Sequence, residues 1–127
     1  MTAISRVYII IAGLSLMAAT QLSAYGFHGL EGKVAAADLR AWEWAVQIQF
    51  YHSLGLLLVV LLLQQVPRSI LLRLAGGLMV LGTVLFSGSI YARTLGAPTV
   101  IGSVAPLGGG SCMLAWLLTA IAGFRAR

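Results

Sequence analysis

Two imidazoles stand out in a chain of 127 residues that is 60% hydrophobic and 9% charged. His28 and His52 each border an apolar stretch, and a neutral ring nitrogen from each could ligate a haem iron or a metal. Protein metal sites generally use at least three protein ligands, and Glu43 is the one convincing third. Haem needs only two ligands but also a wide cleft. A plainer chemistry needs no cofactor: each imidazole hydrogen-bonds a carbonyl or carboxylate and ties a helix end to its neighbours. Glu43, Gln47 and Tyr51 recur every fourth residue and share a helical face, with Gln49 turned elsewhere. His28, His52, Glu43 and Tyr51 are therefore the candidates for a cofactor or lipid site. Gln47, Ser87, Ser89 and Tyr91 read as structural polar contacts, because hydroxyls and amides at membrane depth bond carbonyls or neighbouring helices. No catalytic set assembles. The apolar stretches hold no carboxylate pair, Ser111 has no histidine nearby in sequence, and no phosphate-binding lysine follows Gly108-Gly109-Gly110.

The elements that must carry these residues follow from composition. Soluble domains are about a quarter charged. Eleven charged side chains, 8 basic and 3 acidic, cannot cover this chain's surface, so most of it must face hydrocarbon. The net charge of +5 is spread singly along the sequence rather than gathered in a patch, which excludes a nucleic-acid reader. The lone Cys112 lies in an apolar stretch and reads as a small buried hydrophobe.

A helix needs about 20 residues without charge to cross a bilayer. Four intervals qualify: 24 residues between Arg6 and Glu31, 24 between Glu43 and Arg68, 19 between Arg73 and Arg93, and 31 between Arg93 and Arg125. The expected fold is an all-α integral membrane protein, a single domain of four transmembrane helices in a bundle, at about 7–24, 46–65, 74–92 and 107–124. Leu22-Ser23-Ala24 would also suit signal peptidase, but the first segment is expected to be retained as a helix. Residues 25–45 form an outer loop, in which the segment from Glu31 to Trp44 is expected as an interfacial helix. Trp42, Trp44 and Tyr51 lie where an aromatic belt belongs. Residues 94–110, rich in glycine and proline, read as a loop that can enter the membrane only against protein.

Arg6, Arg68, Arg73, Arg125 and Arg127 fall on one side of this arrangement, and Lys33, Arg40 and Arg93 on the other. The positive-inside rule then puts both termini in the cytoplasm. Small residues at four-residue spacing mark the expected packing faces: Ser15, Ala19 and Ser23; Gly88, Ala92 and Gly96; Ser111, Ala115, Thr119 and Gly123. The second helix instead crowds Leu54, Leu56, Leu57, Leu58, Leu61, Leu62 and Leu63, a face for lipid or for a partner.

Four stretches together resemble one family. Ala24-Tyr25-Gly26-Phe27-His28-Gly29-Leu30 is similar to the Gly-Ala-Phe-Gly-Ala-His-Gly-Leu end of helix one in the domain-of-unknown-function 423 family, whose animal relatives are called transmembrane protein 256. Gln47, Tyr51 and His52 ahead of Leu54 resemble its Tyr-Gln-x-x-His-Ala-Leu segment. Gly82 to Tyr91 resembles Gly-x-x-x-Phe-Ser-Gly-Ser-x-Tyr, and Ala105-Pro106-Leu107-Gly108-Gly109 resembles Thr-Pro-x-Gly-Gly. Ala105, Ala115 and Tyr25 depart from the family pattern. The resemblance implies a small four-helix bacterial inner-membrane protein and implies no activity.

The expected function is therefore a multi-pass membrane protein that is no enzyme, an accessory, assembly or scaffolding subunit whose partners are the lipid bilayer and other membrane subunits or its own copies. The alternative is a small cofactor- or lipid-binding protein with its site around His28 and His52. A third reading, an oligomeric small transporter, lacks any polar stripe to line a pore. No cofactor is expected; haem or another histidine-ligated pigment belongs to the alternative, and replacing both histidines is expected to alter stability and remove no chromophore.

Overall fold

The computed structural model describes residues 1–126; Arg127, counted above with the inner charges, lies outside them. The described residues form helices and no strand. Helix α1 (Ala3–Tyr25) continues into a wider π turn at Gly26–Leu30; α2 (Ala36–Gln65) follows; α3 (Ile70–Thr83) runs through a second π segment at Val84–Gly88 into α4 (Ser89–Thr94); and a 3-10 turn at Thr99–Val104 leads into α5 (Ala105–Arg125). Four of the resulting helical stretches are long and apolar enough to cross a membrane: Ala3–Leu30, Ala36–Gln65, Ile70–Thr94 and Thr99–Arg125.

Local chemistry sets the ends. The Thr2 hydroxyl accepts the Ser5 amide at 3.2 Å, and the Ser69 hydroxyl accepts the Leu72 amide at 3.3 Å, so both helices start on a side-chain cap. Pro67 lies just past the end of α2, where a proline stops a helix, and Pro106 occupies the first turn of α5, where one is tolerated.

Two segments differ from the sequence reading. The stretch expected as a separate interfacial helix is helical from Ala36 onward but continuous with the second span, since no glycine or proline interrupts Ala36 to Phe50. The outer loop shrinks to a few residues about Gly32, and α2 reaches about 45 Å at 1.5 Å per residue. The glycine- and proline-rich loop shortens likewise. Gly108, Gly109 and Gly110 lie inside α5, because packing against α3 outweighs the roughly 1 kcal/mol that each glycine costs a helix.

Helices α2 and α3 form the middle of the molecule; α1 lies along α2, and α5 lies along α3. Burial follows that order: half of the second span's apolar stretch is buried, and far less of the first and the fourth. The α3–α5 contact is the closest. A Cβ on Gly82 would stand 2.8 Å from the Gly108 carbonyl oxygen, and one on Gly108 would stand 2.7 Å from the Gly82 carbonyl oxygen, so the two backbones touch only because neither has a side chain. Cys112 is buried against Gly82, the small apolar role expected of it. Val59, Leu63, Leu72, Ala75, Met79 and Ala115 fill the apolar core shared by α2, α3 and α5.

The small-residue stripes are only partly contact faces. Ala19 and Ala115 are fully buried and Ser111 donates to the Leu78 carbonyl at 2.8 Å, whereas Cβ atoms at Gly88, Gly96 and Gly123 would meet nothing within 4 Å. Of the leucines crowded on the second helix, Leu54, Leu58, Leu61 and Leu62 are exposed, but Leu56 and Leu63, expected with them on a face for lipid or a partner, are buried in the core, because a run of leucines covers every side of a helix.

Candidate functional site

Helix α1 leans on α2 and makes no extended contact with α3. Bulky side chains bridge the gap at each end. Toward the end that carries both termini, the Tyr8 ring lies over Gly76 and its hydroxyl donates to the Arg73 carbonyl at 2.5 Å. Toward the other end, Trp42 is 1% exposed and sits between Tyr25 and Tyr91, with ring centroids 5.7 and 4.7 Å away, and its Nε1 donates to the Leu22 carbonyl at 2.9 Å. Between these props the helices enclose a cavity of about 340 Å³, within the size range of small-molecule pockets.

Three walls line it: Ile11, Ser15 and Leu22 from α1; Gln49, His52, Ser53 and Leu56 from α2; and Met79, Val80, Thr83, Val84, Ser87, Gly88 and Tyr91 from the third span. None of these side chains is acidic or basic apart from the histidine. The polar ones form one network. Gln49 donates through Nε2 to the Ser15 carbonyl at 2.9 Å and to the Ser15 hydroxyl at 3.3 Å, and its Oε1 accepts from the Tyr91 hydroxyl at 2.7 Å. The Ser53 hydroxyl donates to the Ser15 hydroxyl at 2.6 Å. Ser87 donates to the Ala45 carbonyl at 2.6 Å, pinning the π segment to α2. A π turn widens the helix and commonly marks a functional or packed-in site; here it carries Val84, Ser87 and Gly88 along the cavity wall.

His52 lies near the middle of α2 rather than near its end, because the helix begins ten residues earlier than its apolar run does. It is 7% exposed, and both ring nitrogens are engaged: Nδ1 with the Ile48 carbonyl at 2.8 Å and Nε2 with the Trp116 indole N–H at 3.0 Å. An indole nitrogen only donates, so Nε2 accepts and the ring proton resides on Nδ1. Metal ligation through Nε2 would break the Trp116 bond. His28 is exposed at the Trp42 end, edge-on to Phe27 with centroids 4.9 Å apart. The two histidines therefore do not meet, and the pair of axial ligands that the haem alternative requires is not assembled.

The remaining candidates divide in the same way. Glu43 and Gln47 line a second cavity, about 260 Å³, with Phe27, Trp42 and Phe50 at the Trp42 end. Tyr51 is exposed and donates to the Gln47 Oε1 at 3.1 Å, on the opposite side of α2 from the network. Ser87 and Tyr91 make the interhelical bonds expected of them; Ser89 bonds the Phe86 carbonyl of its own helix at 3.0 Å. Among the described residues no group of three or more His, Cys, Asp or Glu could hold a metal.

Sequence reasoning missed Gln49, Ser15, Ser53, Thr83 and Trp116. The signal was present in part: Gln49 and Ser53 are one helical turn apart, and an amide deep in a span must find a partner across helices.

Comparison with known proteins agrees with this architecture. Residues 22–109 match the family described as protein of unknown function (DUF423). The chain belongs to that family. Its relatives include the Bacillus subtilis UPF0382 membrane protein YwdK, 37% identical over 117 residues that cover 92% of this chain and 95% of YwdK. The Staphylococcus epidermidis UPF0382 membrane protein SERP0230 is 39% identical across 92% of this chain and 94% of its own length. SSP2132 of Staphylococcus saprophyticus is 38% identical across 94% and 98%. No solved structure matches. The DUF423 segment takes in Leu22, Trp42, the whole of α2 and the third span, and so includes two of the three cavity walls.

Proposed function

We propose that this DUF423 protein is a non-catalytic membrane protein that holds a lipophilic molecule in the cavity between α1, α2 and the third span. The observation that carries the reading is the cavity itself. Its walls are mostly apolar, it lies at mid-span, and the side on which α1 and α3 stand apart faces the surrounding lipid, so a membrane-dissolved molecule can enter without crossing water. This keeps the binding function weighed for the histidines and moves it from His28, Glu43 and Tyr51 to Ser15, Gln49 and Thr83, with His52 as part of the wall.

The accessory-subunit reading is supported by a different surface, the exposed face of Leu54, Leu58, Leu61 and Leu62 on α2. The two readings are compatible, since a subunit can carry a lipophile into an assembly. The positive-inside rule supports a bacterial inner-membrane location with both termini cytoplasmic, and reporter fusions at residues 32 and 127 test it by opposite activities.

The binding reading is tested by purifying the native protein in mild detergent, recording its ultraviolet-visible spectrum, and identifying solvent-extracted lipophiles by mass spectrometry. The expected result is one species retained near equimolar amounts and lost in Val84→Trp, which fills the cavity from its open side. Wild type and Val84→Trp carrying the same bulk lipids would overturn it. A Soret band lost on replacing His52 would restore the haem alternative.

A further inference from the structure

The cavity's own hydrogen-bond inventory narrows its occupant. Three hydroxyl groups on membrane-spanning threonines offer a comparison. Thr20 donates to the Leu16 carbonyl and Thr119 to the Ala115 carbonyl, each at 2.9 Å, the usual back-bond to the residue four positions earlier. Thr83 makes no such bond. It sits at the junction between α3 and the π segment, on the cavity wall, and among the described residues its hydroxyl proton has no acceptor. Ser15, on the facing wall, is in the same position for a different reason. Its oxygen accepts from both Gln49 and Ser53, and its own proton has no acceptor among the described residues. A hydroxyl proton left unpaired in hydrocarbon is costly, because no water competes for it.

Both walls therefore present donors, and no lining side chain is an acid or a lysine or arginine. Thr83 stands ten residues from Arg73 and ten from Arg93, and Ser53, which donates to Ser15, lies near the middle of the uncharged stretch from Trp44 to Pro67. A phospholipid keeps its headgroup at the interface, roughly 15 Å from that depth, and offers mid-span only the ends of its chains. A charged amphiphile would find no counter-charge. We propose that the occupant is an uncharged lipophile with a carbonyl oxygen placed near mid-span, accepting from the hydroxyls of Ser15 and Thr83 while its hydrocarbon leaves through the gap between α1 and α3. This rests on the binding reading above and adds the chemical class.

The test uses the full chain in proteoliposomes with three photoactivatable probes: a long-chain ketone carrying an alkyl diazirine, the matching hydrocarbon without the carbonyl, and a phosphatidylcholine with the diazirine on its acyl chain. Labelled peptides are mapped by mass spectrometry. Two gained hydrogen bonds correspond to about tenfold or more in affinity, so the ketone is expected to label the cavity walls about tenfold over the hydrocarbon. That preference should vanish in the double variant Ser15→Ala, Thr83→Val, whose helicity and thermal unfolding are checked in parallel. Single variants, each losing part of the preference, keep the test valid if the double variant misfolds. Equal labelling by ketone and hydrocarbon in the wild type would overturn the carbonyl assignment while leaving lipophile binding standing, and strongest labelling by the phosphatidylcholine would make the occupant an ordinary bilayer lipid. Labelling of the cavity walls no stronger than of the lipid-facing side of α5 would overturn the binding reading itself.

Discussion

Helices α1 and α5 are both flanking helices, each less buried than the middle pair, yet they dock by opposite means. Helix α5 meets α3 backbone to backbone, through Gly82 and Gly108, beside an apolar core. Helix α1 is held off by side chains, with Tyr8 propping one end, the Tyr25–Trp42–Tyr91 rings propping the other, and polar groups spanning the middle. The difference teaches how one small chain can combine rigidity with a site. In lipid there is little hydrophobic gain in closing two apolar helices together, so proximity has to come from small residues or from hydrogen bonds. The first device leaves no space. The second keeps helices at side-chain distance and leaves a cavity wherever the props end.

The sharpest way to break the comparison adds one methyl group to each side. Gly108→Ala would force a Cβ against the Gly82 carbonyl oxygen and the backbone of Leu85 and Phe86, with no flexible group able to yield. The expected cost is about 3 kcal/mol or more, at the upper end for overpacking, read as a lowered unfolding temperature in detergent. Gly88→Ala adds the same methyl on the cavity wall, where it would meet nothing within 4 Å. There the gain in helix propensity is about 0.5 to 1 kcal/mol, so that variant should be as stable as wild type or slightly more so. Equal destabilisation by the two variants would mean that the interfaces do not differ in kind.

A smaller effect is expected where α5 reaches α2 through a hydrogen bond. Trp116→Phe keeps most of the ring but removes the donor to His52 Nε2, which then lies buried without a partner. The cost should be about 1 to 2 kcal/mol. Tyr91→Phe, on the cavity side, removes the donor to Gln49 Oε1, an atom on the cavity wall, while Nε2 keeps its bonds to Ser15. About 0.6 kcal/mol is the expected loss, the average for such bonds within membranes. A reversed order of the two, measured by the same unfolding assay, would mean that the α2–α5 bond holds the bundle less firmly than the bonds across the cavity.

How much of this could be read from the sequence depended on whether the signal was local. The four spans followed from runs without charge, whereas leucine crowding on α2 did not separate the exposed Leu54, Leu58, Leu61 and Leu62 from the buried Leu56 and Leu63. The start of α2 did not follow from such runs, because hydropathy marks where a helix enters lipid and not where it begins; Ala36 to Glu43 carry three charges, Asp38, Arg40 and Glu43, yet are helical. That one offset places His52 nearly three turns deeper in its helix than its apolar run suggests. Gly82 and Gly108 escaped for a related reason. They lie 26 positions apart, on different helices, and no single-helix stripe records a contact between two backbones. Ser87 and Tyr91, by contrast, were found as interhelical polar contacts because a hydroxyl in a span needs a partner regardless of which helix supplies it.

The smallest perturbation tests accessibility rather than stability. Cys112 is buried against Gly82 in the α3–α5 contact, whereas Thr83, the very next residue of α3, lines the cavity on the other side. A cysteine placed at Thr83 changes little in volume and gives up a hydroxyl that bonds nothing in the chain, so stability should shift by less than about 0.5 kcal/mol. The two thiols should nonetheless differ in reaction with a small membrane-permeable maleimide. In the wild type Cys112 should stay unmodified until the protein unfolds, while in Thr83→Cys, Cys112→Ser the single thiol should be modified in the folded state. Prior incubation with the long-chain ketone should slow that reaction, whereas the matching hydrocarbon should slow it less. Rapid modification of Cys112 in the folded wild type would open the contact described here as closed, and protection of the Thr83→Cys thiol without any ligand would close the cavity.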